Sequence, residues 1–251
     1  MKDTASGLIA VDRTVRVLQA VSRTERPHLA EVARQAGLNE ATALRYLTTL
    51  AGLGFVEKVD GRHYRLGWEV FRLGQRALLD HVPRDAIRPV VEDLVAAYNE
   101  TVNFAWRKDD AVVLIDVAEG NRAVKKVSDV GQIDPWHASA LGKALMSTMT
   151  DDAWHDLVGT GPLPRFTPHT ITSLDRLAAE IERARTDGYA VDHEEADEDL
   201  TCIAAPVPAP TGPSHYAISV SFLTHRLDES TIGDVGARVR DAADRIATRL
   251  Y

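Results

Sequence analysis

Residues 29–53, LAEVARQAGLNEATALRYLTTLAGL, predict two short helices joined by a tight turn. The first helix would cover residues 29–36 and turn inward its residues Val32, Ala33 and Ala36. Gly37 is placed to end that helix, because glycine adopts the left-handed backbone without the steric cost that other residues meet. Asn39 then makes a good N-cap for the second helix, with Thr42 three residues further on.

The second helix of this segment has the residue order of a helix that reads DNA. Short polar groups stand near its start, and a cation, an aromatic ring and a hydroxyl follow. In a recognition helix the N-terminal half approaches base edges while neighbouring residues reach phosphates. We expect its inner face to be Leu44, Leu47, Leu50 and Leu53. The predicted DNA contacts are Asn39, Glu40, Ala41, Thr42, Arg45, Tyr46 and Thr49.

A preceding helix and a following hairpin extend this pair into a winged helix-turn-helix. The preceding helix would bury Leu8, Val11, Val15, Leu18 and Val21. Residues 55–59 alternate apolar and polar side chains, Asp60-Gly61 is a hairpin turn signal, and a second strand follows. The wing residues expected to meet a minor groove or a phosphate are Arg62 and His63. This order of elements favours DNA binding over a protein-contact domain on which Arg45 and Tyr46 are merely solvated.

The charge of the chain is unevenly distributed. Of its 251 residues 45% are hydrophobic and 26% are charged, an ordinary globular composition, and the net charge is −8. Residues 1–66 hold ten Lys or Arg against seven Asp or Glu, a formal charge of +3, so the remaining residues carry −11. A basic module attached to an acidic body suits a nucleic-acid binder.

Neither a membrane nor a secreted location is indicated. No apolar run is long enough for a membrane span, and the N-terminus does not read as a secretory signal. The chain has one cysteine, Cys202, so it cannot form an intrachain disulfide. We therefore expect a protein of the reducing cytoplasm.

We expect three parts: a winged helix-turn-helix in residues 1–66, a linker helix in residues 67–83 and an α+β domain in residues 84–251. Pro83 would end the linker helix. That helix has apolar residues on more than one side, so it must bury them, against the first helix or against a second subunit. These residues are Val70, Phe71, Leu73, Leu78 and Leu79. A homodimer is expected, because one winged module rarely supplies enough affinity or operator symmetry.

The C-terminal part mixes strands and helices, as an α+β domain with an antiparallel sheet does. Strands are predicted at residues 101–107, 111–120, 123–128 and 215–223, with two more flanking the acidic loop within residues 189–210. Helices are predicted at residues 84–99, 136–146, 151–158, 174–187 and 229–250. No internal repeat and no nucleotide-binding glycine loop is present.

Four motifs in this order resemble one family. YRLG closes the wing at residues 64–67, WHASALGKAL spans 136–145, GYAVDHEEADEDLTCIAAPV spans 188–207 and AISVSF spans 217–222. Together they resemble the isocitrate lyase regulator (IclR) family of bacterial transcription factors over nearly the whole chain. The resemblance implies a winged helix-turn-helix, a linker helix and a GAF-like effector-binding domain. It also implies dimers, often paired into tetramers, on palindromic promoter sites.

The resemblance further implies a small-molecule effector site on the sheet. The matched positions are Ala140, Leu141, Asp192, Cys202, Ser219 and Ser221. The residues support this, because Ser219 and Ser221 are two apart on one strand and point to the same face. The amides of Ala140 and Leu141 start a helix, where they are free donors for an anion or a carbonyl. Members that answer two- and three-carbon acids tend to have smaller residues at Ala140 and Leu141, so the resemblance disfavours glyoxylate-like effectors and leaves aromatic acids, amide-type catabolites and other metabolites open.

Alternatives remain for several of these residues. Ser219 and Ser221 could be the solvent side of an edge strand, and Asp192 an ordinary turn residue. Together with His193 and Cys202, Asp192 could instead serve a metal- or redox-responsive regulator, or a Cys-dependent hydrolase. No structural zinc pattern is matched, so we expect no metal. Cys202 lies inside an apolar strand, where a thiol is typically inert, so we expect no enzyme activity. No cofactor is expected either. We expect a repressor, rather than an activator, of a catabolic operon controlled by a metabolite.

Overall fold

The computed structural model describes residues 8–81 and 83–251, without the side chains at residues 78–81. The chain divides into two compact units between residues 81 and 82. The prediction about a secretory signal and the prediction that Leu78 and Leu79 are buried both fall outside this description. None of the described helices has the length and apolarity needed to cross a membrane.

The N-terminal unit is a winged helix-turn-helix followed by one further helix. Its elements are α1 (Ile9–Ser22), α2 (Leu29–Ala36), α3 (Glu40–Gly52), β1 (Val56–Val59), β2 (His63–Leu66) and α4 (Trp68–His81). Strands β1 and β2 form an antiparallel hairpin. Side chains from α1, α2, α3 and the hairpin meet in one core, where Val17, Val32, Leu47 and Val56 are buried. The predicted helices and wing are confirmed.

The turn between α2 and α3 follows from two residues. Gly37 ends α2 with a φ of 65°, in the left-handed region, and its amide donates to carbonyls of the last turn. Asn39 caps α3, because its side-chain oxygen accepts the Thr42 amide at 2.8 Å. Both predictions are confirmed, and together they set the direction in which α3 leaves the turn.

The predicted inner face of α1 is wrong over its first two turns. Leu8, Val11 and Val15 are exposed, and the buried residues of the helix are Val17, Ala20 and Val21. Helical spacing shows that a helix is amphipathic, but it does not show how much of its length reaches the core. The core of this small module covers only the C-terminal half of α1.

The predicted inner face of α3 is partly wrong. Leu47 and Leu50 are buried as expected, but Leu44 and Leu53 are 43% and 60% exposed. The third buried position is Ala43, which is fully buried. A small side chain on the inner stripe lets two helices approach closely, and this orientation moves Leu44 to the flank of α3.

The C-terminal unit contains one six-stranded antiparallel sheet with helices on both faces. Its strands are β3 (Thr101–Lys108), β4 (Ala111–Ala118), β5 (Ile133–Asp134), β6 (Ala190–His193), β7 (Leu200–Val207) and β8 (Tyr216–Leu223). Its helices are α5 (Arg84–Tyr98), α6 (Ala140–Met146), α7 (Asp151–Val158), α8 (Leu174–Asp187) and α9 (Ile232–Leu250). The strand order is β5-β4-β3-β8-β7-β6, and the predicted α+β class is confirmed.

The two faces of the sheet are covered by different helices. On one face Ala105, Ala204 and Ala217 pack with α6 and α8 in a large core. On the other face Ile203 and Val220 are fully buried, and α5 and α9 contact the sheet and each other. Because successive residues of a strand point to opposite faces, each strand in the middle of this sheet contributes apolar side chains to both.

The predicted strand at residues 123–128 is absent, and β5 forms further along the chain instead. In this segment the carbonyl of Lys126 accepts from the Thr101 hydroxyl at 2.6 Å rather than from a neighbouring strand. The Lys126 ammonium also pairs with Asp197. Side-chain contacts therefore hold residues 123–128 in place where a hydrogen-bonded ladder was expected.

Candidate functional site

The outward side of α3 presents a row of exposed side chains. Ala41 and Arg45 lie opposite the buried stripe and Thr49 flanks them, while Glu40 is exposed at the first position of the helix. The Thr49 hydroxyl donates to the carbonyl of Arg45 at 3.0 Å. Among the described residues, no hydrogen bond or ion pair engages the Arg45 guanidinium. Arg45 is thus a cation on a capped helix that is available to an outside partner.

Three of the predicted DNA contacts are engaged in the fold itself. The side-chain oxygen of Asn39 is taken by its cap hydrogen bond, so its amide nitrogen is the group left for a ligand. Tyr46 is half-buried and packs against the N-terminal core. Thr42 is half-buried as well. These residues position the helix and leave less surface for a partner than the sequence suggests.

Sequence reasoning missed two residues of this surface. Thr48 is exposed, three residues after Arg45 on the same outward side, and helical spacing alone would have found it. Arg13 of α1 joins Arg45 and Tyr46 in lining a depression of about 380 Å³ beside α3. Arg13 could not have been found from local spacing, because its place depends on how α1 packs against α3.

The tip of the wing is a tight turn held by one aspartate. Asp60 and Gly61 have φ values of 49° and 73°, both left-handed, as the Asp-Gly hairpin signal predicts. The Asp60 carboxylate accepts the amides of Arg62 and His63 and lies 3.0 Å from Nδ1 of His63. The hydrogen bond with the His63 ring lowers the pKa of Asp60 most, and the two backbone amides lower it further. Arg62 is exposed, whereas the His63 ring is tied to the turn.

All six predicted effector residues line a single cavity of the C-terminal unit. The cavity has a volume of about 210 Å³ and lies between the sheet, α6 and the loop before β7. The six residues are Ala140, Leu141, Asp192, Cys202, Ser219 and Ser221. Ser219 and Ser221 are buried here, so they are not the solvent side of an edge strand.

Strand register explains why these residues meet. Asn103 of β3 pairs with Ser219 of β8, Ser221 pairs with Cys202 of β7, and Cys202 pairs with Asp192 of β6. Directly paired residues of neighbouring strands share a face. Four strands therefore place one row of polar side chains on a face that is otherwise lined with alanines.

Helix α6 and Asp192 close the cavity on the helical side. Ser139 caps this helix by accepting the Gly142 amide at 3.0 Å, which leaves the amides of Ala140 and Leu141 outside the cap. Asp192 is almost fully buried and accepts the Glu195 amide at 2.7 Å. Burial raises the pKa of Asp192 to about 7. The carboxyl group can therefore donate or accept near neutral pH.

Several polar residues of the cavity were missed. Lys126 and Asp197 form an ion pair at 2.5 Å, and Gln132 donates to Asp134 at 2.9 Å. Burial raises the pKa of Asp134 and outweighs the hydrogen bond from Gln132, which lowers it. The sequence predicts a strand at residues 123–128 and no element at residues 129–135, and only the folded path brings Lys126, Gln132 and Asp134 to the cavity.

Two polar atoms of the cavity lack a partner within the described chain. They are the side-chain oxygen of Asn103 and the hydroxyl of Ser128, both buried. The amide nitrogen of Asn103 already donates to Ser221 at 3.3 Å. Buried polar groups are normally hydrogen-bonded, so such atoms indicate a place for a ligand or a water.

The geometry does not support a thiol nucleophile at Cys202. Its sulfur donates to Ser221 at 3.2 Å, and burial raises the pKa of the thiol. His193 follows Asp192 in β6, is exposed, and points to the other side of the strand. A reactive cysteine needs a base within hydrogen-bond reach and a lowered pKa, and Cys202 has neither.

In the described residues, no three or more His, Cys, Asp or Glu side chains are grouped so as to hold a metal ion. His193 faces away from Asp192 and Cys202, so these three residues do not converge. This arrangement gives the metal-responsive alternative no geometric support.

A winged helix with an exposed recognition surface, joined to a domain with a polar ligand cavity, defines a ligand-controlled transcription regulator. Two family models match the chain: the IclR helix-turn-helix domain over residues 10–60 and the bacterial transcriptional regulator IclR C-terminal domain over residues 75–248. The chain belongs to the IclR family of transcriptional regulators.

Named relatives cover nearly the whole chain. The HTH-type transcriptional repressor AllR of Salmonella typhi is 32% identical over 97% of this chain and 90% of its own. The HTH-type regulator KdgR of Dickeya chrysanthemi is 28% identical over 93% and 77%. An IclR homologue from Microbacterium hydrocarbonoxydans, solved with 4-hydroxybenzoate, superposes with a TM-score of 0.81 at 26% identity over 96% and 98%.

Proposed function

We propose that this regulator represses a catabolic operon and is controlled by a metabolite bound in the C-terminal cavity. The observation that carries the proposal is that one chain has both a capped recognition helix with an exposed Arg45 and a cavity with buried polar atoms. Within residues 8–81 and 83–251, neither Arg45 nor these atoms have a described partner. Repression is supported by AllR, which is named a repressor, and effector control by the homologue solved with 4-hydroxybenzoate.

For DNA binding we propose a division of labour on the N-terminal unit. Arg45 and Thr48 reach base edges, and Arg13 and Arg62 reach phosphates. Asn39, Tyr46 and the remaining predicted residues fix the helix or fill the space between these contacts. Arg45 is the residue suited to two parallel hydrogen bonds with a guanine.

For the effector we propose that the cavity residues act as one polar cradle. Ser221, Ser219 and Cys202 form its floor, Asp192 its side, and the helix that begins with Ala140 and Leu141 its roof.

The proposed control is a population shift, in which a tenfold change in operator occupancy needs about 1.4 kcal/mol of differential ligand affinity between two states. The linker helix would carry the change to the recognition helices.

We propose a homodimer as the DNA-binding form, with pairs of dimers as an extension. Apolar side chains stand exposed on α1 and α4 of the same unit, among them Val11, Val15 and Phe71. Trp68 is 64% exposed although its ring packs on Phe71. Several large apolar side chains exposed on one unit suit a protein interface, and two modules would match a palindromic operator.

We further propose that the protein is not an enzyme and works in the cytoplasm. The raised pKa of Cys202 and the outward His193 support the first statement. DNA as the partner and a single cysteine support the second.

The proposal is tested by selecting duplexes from a random DNA pool with the full-length protein. We expect enrichment of an inverted repeat whose half-sites lie one helical turn, about 10 base pairs, or a multiple of it apart. A pool that never enriches, at low or at physiological salt, would refute DNA recognition by this chain. Enrichment of a single half-site would keep DNA recognition and refute the dimer.

A further inference from the structure

We infer that Lys126 is the residue that selects a carboxylate group of the effector, and that Asp197 holds the same ammonium until a ligand binds. This inference rests on the proposed function in taking the C-terminal cavity as the effector site. Lys126 and Asp197 are not among the six residues that the motifs matched. The contacts, the exposure and the charges at the edge of the cavity support their role.

Lys126 is the one cationic side chain that lines the cavity in the described part of the chain. Its ammonium pairs with Asp197 at 2.5 Å. Lys143 is fully buried behind the cavity wall and pairs with Glu195, so it does not face a ligand. Within residues 8–81 and 83–251, an acidic ligand in this cavity therefore meets its opposite charge at Lys126.

The two partners of this ion pair differ in their access to water. The Lys126 side chain is 19% exposed, whereas that of Asp197 is 54% exposed although it also lines the cavity. Lys126 belongs to the segment after β4 and Asp197 to the loop between β6 and β7, so the pair joins two loops where the cavity meets solvent. Because it is already half in water, the Asp197 carboxylate can leave the ammonium and remain hydrated.

The Lys126 ammonium keeps its charge and needs an anion beside it. Burial alone would lower its pKa, but the hydrogen bond to Asp197, together with nearby negative charge, raises the pKa overall. A ligand carboxylate can replace Asp197, because it brings the same charge and the same acceptor atoms. The exchange puts one carboxylate in the place of another and returns the first to water.

Other polar groups of the cavity fit a carboxylate at this position. The Ser128 hydroxyl, two residues from Lys126, is buried and has no partner among the described residues. It is an O–H donor available to the second carboxylate oxygen. Burial raises the pKa of Asp134 and, against the charge of Lys143, raises that of Asp192 to about 7. These two carboxyl groups resist ionisation, so they add less negative charge beside a ligand than exposed carboxylates would.

The test measures charge recognition with two pairs of probes, each an acid and its amide of the same shape: benzoate with benzamide, and pyruvate with pyruvamide. Dissociation constants for the full-length protein are measured by calorimetry at pH 7.5, up to ~10 mM probe, a range that covers weak millimolar binding. We expect the acid to bind at least about tenfold more tightly than its amide in at least one pair. Equal binding of acid and amide in both pairs, or no binding of either acid, would overturn the inference.

Lys126→Gln should lower this ratio of dissociation constants to about one, because glutamine keeps a polar side chain and removes the charge. The matched control Lys125→Gln makes the same change at the next residue, whose ammonium pairs with Glu119 outside the cavity, and should leave the ratio unchanged. The ratio compares two probes on one preparation, so partial unfolding of a variant does not alter it. A ratio that persists in Lys126→Gln, or that falls equally in both variants, would refute the role of Lys126.

Asp197→Asn tests the exchange itself. It removes the competing carboxylate, so the affinity for the acid should rise by about tenfold while that for the amide stays the same. The control Glu198→Gln removes a charge from the exposed neighbour outside the cavity and should change neither affinity. In the double variant Lys126→Gln/Asp197→Asn the gain should disappear, since no ammonium is left to be released. A gain that survives in the double variant, or no gain in Asp197→Asn alone, would overturn the exchange.

The inference and the proposed function fail separately. Binding of the selected duplex is measured on the same preparations without any probe. Duplex binding together with an unchanged ratio in Lys126→Gln would overturn the role of Lys126 alone. Loss of the ratio in Lys126→Gln, in a protein that selects no duplex, would refute the proposed regulator and leave the role of Lys126 standing.

Discussion

Arg45 and Asp192 show how single side chains divide the work of this protein. Arg45 is an exposed cation that no residue described in the structure pairs with, whereas Asp192 is a carboxyl group buried at a cavity wall. Arg45 is suited to an outside ligand of opposite charge. Asp192, whose pKa lies near neutrality, changes its charge with pH and with what is bound beside it. Arg45→Ala removes the cationic side chain, and Asp192→Asn removes a charge while it keeps the shape.

Arg45→Ala should weaken binding to the selected duplex by about 1–3 kcal/mol if the guanidinium reads a base, and relax the preference at that base pair. Fluorescence anisotropy with the duplex and with single-base variants measures both effects. Arg183→Ala, which removes an exposed arginine from α8, is the control and should leave DNA affinity unchanged. Equal losses on every duplex would make Arg45 a phosphate contact instead.

Asp192→Asn should flatten the dependence of stability on pH. The folded carboxyl has a pKa of about 7 against 3.8 for the free side chain, so between these values the folded state binds more protons than the unfolded state. The free energy of unfolding therefore falls as pH rises from 4 to 8, by at most about 4 kcal/mol from this group. Asparagine keeps the acceptor for the Glu195 amide but has no charge to lose.

Urea unfolding at several pH values measures the Asp192 effect. The exposed substitution Asp244→Asn on α9 serves as the control. If Asp192→Asn and the parent protein lost stability in parallel between pH 4 and pH 8, another group would be responsible for the slope.

At the scale of elements, the structure departs from the sequence where packing between elements decides the outcome. Helix ends were predictable from Gly37 and Asn39, because caps act through neighbouring residues only. The burial of Ala43 in place of Leu44 depends on how closely α3 approaches its neighbours, which no spacing within one helix records. The absence of the strand predicted at residues 123–128 also depends on a distant residue, since the carbonyl of Lys126 accepts a hydrogen bond from Thr101.

Helix α6 depends on the absence of one side chain. A Cβ built on Gly142 would lie 2.2 Å from the carbonyl oxygen of Trp136, a backbone atom that cannot move aside alone. Gly142→Ala should therefore cost about 1–3 kcal/mol of stability and weaken ligand binding in the cavity that α6 covers.

Gly233→Ala is the matched control, because the same added atom on α9 meets nothing closer than 4.0 Å. It should cause no loss of stability, since alanine favours a helix. Thermal unfolding of the two variants measures this difference in stability. Equal melting temperatures would show that α6 can shift away from the backbone of Trp136.

For the whole molecule, the sequence predicts which residues belong to each part better than which residues from separate segments come together. The charges of +3 in residues 1–66 and −11 in the rest of the chain already separate a DNA reader from an acidic body. The six effector residues were matched from motifs. Strand register brings four of them together, and the packing of α6 on the sheet adds Ala140 and Leu141. Asn103, Lys126 and Asp134 escaped notice, since they come from segments that carry no motif and meet only through the folded sheet.

Because of its position, the thiol of Cys202 can report whether the C-terminal cavity holds a ligand. It is the one thiol of the chain, it lines the cavity, and its pKa is raised. Alkylation by N-ethylmaleimide needs both access and a thiolate, so the native protein should be labelled at least about tenfold more slowly than the urea-unfolded chain. A bound ligand should slow labelling further, as intact mass would show, and labelling at an unchanged rate would place the ligand elsewhere. Fractions of a cell lysate could then be screened for the natural effector by how much they slow the alkylation of Cys202. Such a screen requires neither the operator nor the target gene to be known.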